Sequence, residues 1–154
     1  MSLLRHAIHG ALIAGLIAFG ACTTAQTTMS GKTASLMARL SGASEVPPTQ
    51  SMAKGNLQAT LDKNTRVLTW TMQVSGLSGA PTAAHFHGPA APGENAGVAA
   101  PITITGQPTD NGVITLTAAQ MDDLLAGHWY INVHTAANPD GEIRGQIMIA
   151  APPQ

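Results

Sequence analysis

Leu36, Ala38 and Leu40 alternate with Met37 and Arg39, and Leu57, Ala59 and Leu61 repeat the pattern against Gln58 and Thr60. A period of two puts one set of side chains on each face of a strand, so both segments are predicted as half-buried strands. Leu68, Trp70, Met72 and Val74 fall on one face of a third, whose other face carries Val67, Thr69, Thr71 and Gln73. Its β-branched and aromatic content suits a pleated surface. Asn64 marks the turn before it.

Beyond Gly76-Leu77-Ser78-Gly79 the pattern predicts a short strand over Ala83 to His87, a Pro- and Gly-rich loop from Gly88 to Gly97, and strands over Val98 to Thr105 and Val113 to Leu116. Thr117 followed three residues on by Gln120 is a capping-box signal, Leu124 and Leu125 give the apolar contact, and Gly127 ends a short helix. The last two strands, Trp129 to Thr135 and Glu142 to Ile149, flank the turn Asn138-Pro139-Asp140-Gly141. Trp129, Ile131 and Val133 face one way, and Tyr130, Asn132 and His134 the other. About eight short strands with regular turn signals and one helix make an all-β architecture, an immunoglobulin-like or Greek-key β-sandwich.

Ahead of this domain, placed at 36–150, Arg5 precedes the apolar run Ala11 to Phe19, too short to span a bilayer but suited to a signal peptide over 1–21. Gly20 and Ala21 directly precede Cys22, the only cysteine, as in a bacterial lipoprotein signal cleaved before a lipid-modified Cys. Ordinary cleavage near Ala18 to Gly20 or after Ala25 stays open, because Phe19 stands where such signals carry Leu. The expectation is an exported protein of the periplasm, tethered to the outer membrane through Cys22, with 22–35 as a flexible linker. No other membrane contact is implied. One cysteine allows no intrachain disulfide, so the core alone must hold the fold.

A net charge of -1 and a charged fraction of 10% leave no basic patch for phosphates, which argues against nucleic acid as a partner. Aromatics are only 3%, while 16 Gly and 10 Pro punctuate the chain into short strands. There is no Gly-x-Ser-x-Gly elbow, Walker loop or His-Glu-x-x-His helix.

The remaining chemistry is in histidine. His85 and His87 are two apart on a strand, so they project from one face about 6.6 to 6.8 Å apart at the backbone, close enough for two imidazoles to share a metal ion. His134 lies on the non-core face of its own strand and completes a three-imidazole set if the strands are neighbours. His128 has the same parity as His134 but is about 20 Å further along, too far to join the same ion. Imidazoles with no nearby thiolate suit copper, with zinc the alternative. Glu142 and Arg144 share a face of the last strand. As structural residues they make an exposed pair; as functional ones Glu142 orients a ligand imidazole and Arg144 attracts an anion to the metal.

Four segments carry a family resemblance: Glu45-Val46-Pro47-Pro48, Ala84-His85-Phe86-His87-Gly88-Pro89, Tyr130-Ile131-Asn132-Val133-His134-Thr135 and Gly141-Glu142-Ile143-Arg144-Gly145-Gln146-Ile147. In order and spacing, over residues 36 to 149, the chain resembles the chordin-type (CHRD) domain, found in the animal morphogen-binding protein chordin and in exported bacterial proteins. The resemblance implies an immunoglobulin-like β-sandwich. In layout the chain is also similar to copper-zinc superoxide dismutase, which implies copper-ligand roles for His85, His87 and His134 and an anion-guiding role for Arg144. The Gly88 to Gly97 loop lacks that enzyme's zinc-ligand cluster, and there is no bridging histidine or disulfide, so at most a copper-only site is implied. Two readings follow: a copper-binding domain for holding copper or for superoxide-type redox chemistry, and a non-catalytic interaction or structural module that meets a protein partner without metal.

Overall fold

The computed structural model describes residues 31–151; the expected signal peptide, Cys22 and most of the expected linker lie outside the described residues. Within them the chain forms β1 (Thr33–Ser41), β2 (Lys54–Asp62), β3 (Val67–Ser75), β4 (Pro81–His87), β5 (Val98–Ile102), β6 (Thr109–Thr115), α1 (Ala118–Leu125), β7 (Tyr130–Thr135), β8 (Ile143–Gln146) and β9 (Met148–Ile149). A 3-10 turn over Gly42–Ser44 follows β1. The fold is all-β with one short helix. No helix among the described residues is long and apolar enough to cross a membrane.

The strands pair antiparallel in one continuous path, β5-β4-β7-β8-β1-β2-β3-β6, with β9 added beside β1. The path curls over on itself into a nearly closed sheet. Trp70 on β3 meets Phe86 on β4 edge-on, 6.0 Å between ring centroids, although these strands lie far apart along the path. Phe86 in turn packs on Trp129 at 5.9 Å. Residues of alternate parity, Leu36, Leu40, Leu57, Leu61, Leu68, Met72, Ile131 and Val133 among them, fill the space between. Gly112 stands opposite Trp70 in the β3 and β6 register. A Cβ there would meet the indole at 2.5 Å, so glycine is what admits the tryptophan.

Strand alternation holds in β1, which begins at Thr33, ahead of the expected start at Leu36, because Ala34 continues the buried set. Asp62 Oδ1 accepts from the amides of Asn64 and Thr65 to close the expected turn before β3. The capping box forms as expected: the Thr117 hydroxyl accepts from the Gln120 amide, and the Gln120 side chain accepts from the Thr117 amide. Gln120 also donates to the Ala99 carbonyl, which ties the first turn of the helix to β5. The last expected strand is two: it breaks at Ile147, whose amide donates to the Trp129 carbonyl, into β8, which lies between β7 and β1, and β9, which pairs with β1.

β7 and β8 are buried on both faces. Tyr130, Asn132 and Arg144 are as inaccessible as the apolar residues between them. The 88–97 loop lies over this second face, held by Arg144 to the Glu94 carbonyl, Gln146 to the Ala90 carbonyl, and the Ala90 amide to the His128 carbonyl.

Candidate metal centre

β4 pairs with β7 so that His85 lies opposite Asn132 and His87 opposite Tyr130, and His134 opposite Ala83. With Phe86 turned into the core, the neighbouring strands bring His85, His87 and His134 together on the second face. One ring nitrogen from each lies within 4.8 Å of the others. The His85 ring is 5.6 Å from that of His87 and 4.9 Å from that of His134, centroid to centroid. His87 is buried, whereas His85 and His134 are half-buried, so the cluster opens to solvent on one side. His128 is exposed and stands apart, as the strand geometry requires.

Backbone carbonyls decide which nitrogens are free. His87 Nδ1 lies 3.0 Å from the Ala96 oxygen and His134 Nδ1 lies 2.9 Å from the Pro139 oxygen. A carbonyl only accepts, so both Nδ1 atoms carry the proton, and in neutral imidazoles both Nε2 atoms keep a bare lone pair. The two lone pairs converge with His85 Nδ1, which is 3.1 Å from His134 Nε2. Fixing the far nitrogen by a hydrogen bond is how a protein prepares imidazole as a ligand. Burial, and after it the neighbouring His134 and His87, lower the pKa of His85, which keeps that ring neutral and able to coordinate.

Behind the ligand set lies a stack. The Tyr130 ring is parallel to His87, 4.7 Å away, and Arg144 Cζ is 3.4 Å from the Tyr130 centroid. The guanidinium donates to Asn95 Oδ1 at 3.0 Å and to the Glu94 carbonyl at 2.7 Å, and the Tyr130 hydroxyl reaches the Ala96 carbonyl at 3.3 Å. The 94–96 segment that pins His87 is itself pinned from below.

Two expected roles change. Glu142 and Arg144 are not an exposed pair; both are buried. The Glu142 carboxylate accepts from the Ser51 hydroxyl, the Ser78 amide and hydroxyl, and the Thr135 hydroxyl, all at 2.6 to 2.8 Å, so it ties three segments together and has no acceptor left for an imidazole. Burial works to raise its pKa, but the hydrogen bonds from Ser78, Thr135 and Ser51 outweigh it and hold the carboxyl at about 2. Arg144 is 2% exposed and its charge is spent on the loop and on Tyr130, so it does not face incoming anions. Burial lowers its pKa, against the pull of Tyr130 and Glu45.

Sequence reasoning missed three residues here. Asn132 Oδ1 stands 3.0 Å from both His87 Nε2 and His134 Nε2. Its place between two histidines of matching parity was the available signal. Tyr130 shares that parity. Glu45 reaches in from the turn after β1, and its buried Oε1 has no hydrogen-bond partner. Burial pushes this carboxyl up to about 7, against the lowering effects of Arg144 and the Val46 amide.

The family model described as the CHRD domain matches residues 36–147, nearly all of the described chain. No curated protein and no solved structure matches.

Proposed function

The chain belongs to the CHRD domain family, and from that premise we propose that it is an exported copper-holding domain whose ligands are His85, His87 and His134. Zinc is the alternative ion. The observation that carries the reading is the convergence of three ring nitrogens within 4.8 Å, with the Nδ1 atoms of His87 and His134 held by backbone carbonyls on the far side of their rings. Bound copper would supply a redox-active centre with a solvent-facing position. The residues of this chain orient the imidazoles, and burial keeps the His85 ring neutral. Holding is favoured over superoxide chemistry, because the buried Arg144 does not face the solvent from which an anion would come.

Export and lipid attachment at Cys22 belong to the same proposal and rest on the Ala11 to Cys22 sequence. A second reading, an interaction module without metal, has one observation in its favour: His85 Nδ1 and His134 Nε2, at 3.1 Å, satisfy each other directly. Calorimetric titration of the purified protein with Cu(II) separates the two. The copper reading predicts one ion per chain, lost in His87→Gln; heat that fits no stoichiometric site contradicts it.

A further inference from the structure

The sheet path ends in two terminal strands, β5 and β6, and they differ in how they are guarded against pairing with another chain. β5 is five residues long, carries Pro101, which has no N–H to offer, and shifts register against β4 between Phe86 and His87. Short length, proline and irregular register all keep an edge from taking up a further strand. β6 has none of the three. It runs seven residues in unbroken register with β3, contains no Pro, Lys or Arg, and among the described residues no backbone hydrogen bond ties its far edge to another segment. Its one charge, Asp110, is turned inward, where it accepts from the Thr105 amide and hydroxyl, and it stands at the second residue of the strand. Residues 111–115 are left bare. Gly112 and Ile114 on the inner face are only half-buried and Val113 on the outer face is 62% exposed, so this edge meets solvent.

We infer that β6 is a dimerisation edge, on which residues 111–115 of one copy of the chain pair antiparallel with residues 111–115 of a second copy. Facing residues of an antiparallel pair lie on the same side of the sheet, so a two-fold axis relating the two strands must pass through a residue and not between two. Val113 is the residue that leaves Asp110 outside the paired stretch. With the axis there, the two exposed valines face each other, and Asn111 of each copy faces Thr115 of the other. Ile114 of each copy faces Gly112 of the other, beside the Trp70 indole that occupies the space of the missing side chain. The β-branched run Val113, Ile114 and Thr115 suits such cross-strand pairing.

Charge selects a second copy as the occupant. In a two-fold contact each surface meets its own image, so a charged residue near the axis would face its like. Every outward residue of β6 from Thr109 to Thr115, and of the neighbouring β3 from Val67 to Gln73, is uncharged. A strongly charged strand from another protein would find no complement there. β4 and β7 contribute no residue to this edge, and the dimer is independent of the metal reading.

Sedimentation of the purified protein over a concentration series tests the dimer, in a Cys22→Ser background that removes the chemistry of that thiol. Five paired residues make less than a standard interface, so a reversible monomer–dimer equilibrium is expected. Val113→Lys alters an exposed side chain, so the fold should stay intact by circular dichroism. It sets two like charges opposite each other and is expected to raise the dissociation constant about tenfold or more. Val98→Lys, on the guarded edge, is expected to leave it unchanged. Register is read separately: Val113→Cys should form a disulfide to its own copy on mild oxidation, whereas Thr109→Cys, about 27 Å from its counterpart, should not. A monomer at every concentration overturns the dimer and leaves the edge to a strand of a different protein. A dimer that survives Val113→Lys, or that Val98→Lys disrupts as strongly, overturns the assignment to β6.

Discussion

The imidazole of His87 lies parallel to the phenol ring of Tyr130, 4.7 Å away with 2° between the planes. Arg144 closes the other end of this stack and grips the loop whose Ala96 carbonyl holds His87. The position of one candidate ligand therefore depends on an arginine held one ring away from it.

Arg144→Met keeps much of the buried volume but removes the cation over Tyr130 and two charge-assisted hydrogen bonds. Such bonds are worth about 1.5 to 3 kcal/mol each and a desolvated cation–π contact about 2 kcal/mol, with incomplete additivity. The variant is expected to lose about 2 to 4 kcal/mol in urea unfolding. Faster hydrogen exchange at the 94–97 amides checks that the loss lies in the loop.

Glu142 contributes stability with a defined pH window. Its folded pKa of about 2 lies below the ordinary 4.5, so its contribution is complete above about 4.5 and disappears as pH falls toward 2. Glu142→Gln places an amide among four donor groups. It is expected to cost roughly 2 to 4 kcal/mol at pH 7, with the difference from wild type shrinking below pH 4.5 in denaturation series.

Glu45 acts with the opposite sign. Its folded pKa of about 7 lies above 4.5, so the folded state holds the proton more tightly, and stability from this group falls as pH rises from about 4.5 to 7. Glu45→Gln is expected to remove a decline on the order of 2 kcal/mol across that interval. The measurement is the difference between wild-type and variant unfolding free energies at pH 5 and pH 7.5, which isolates the contribution of Glu45.

Gly141 ends the turn before β8 with φ +132, and a Cβ there would stand 2.5 Å from Glu45 Oε1 and 2.9 Å from Asn132 Nδ2. Gly141→Ala is both strained and overfilled, and about 1 to 3 kcal/mol of destabilisation is expected. Because the displaced groups include Asn132, the variant should also bind copper more weakly than a distant variant of equal stability.

Local pattern made much of this legible. Period-two alternation placed Leu68 to Val74 in β3, and the Thr117 and Gln120 pair placed α1, because both signals act within a few residues. The His-x-His spacing and the parity of His134 brought the three imidazoles to one face. The fate of that face was not legible. It reads as polar and solvent-facing, yet the 88–97 loop folds over it, and nothing local announces that Glu94, Asn95 and Ala96 will meet Arg144 and Tyr130. Glu142 was misread for the same reason: its partners Ser51 and Ser78 come from distant segments, and only the closed sheet brings their hydroxyls to it.

The central claim is that His85, His87 and His134 bind one copper ion, and electron paramagnetic resonance of the Cu(II)-loaded protein tests it most directly. A single type of site is expected, with superhyperfine splitting from three imidazole nitrogens that falls to two in His134→Ala with the fold intact by circular dichroism. A spectrum of adventitious Cu(II), unchanged in His134→Ala, would contradict it.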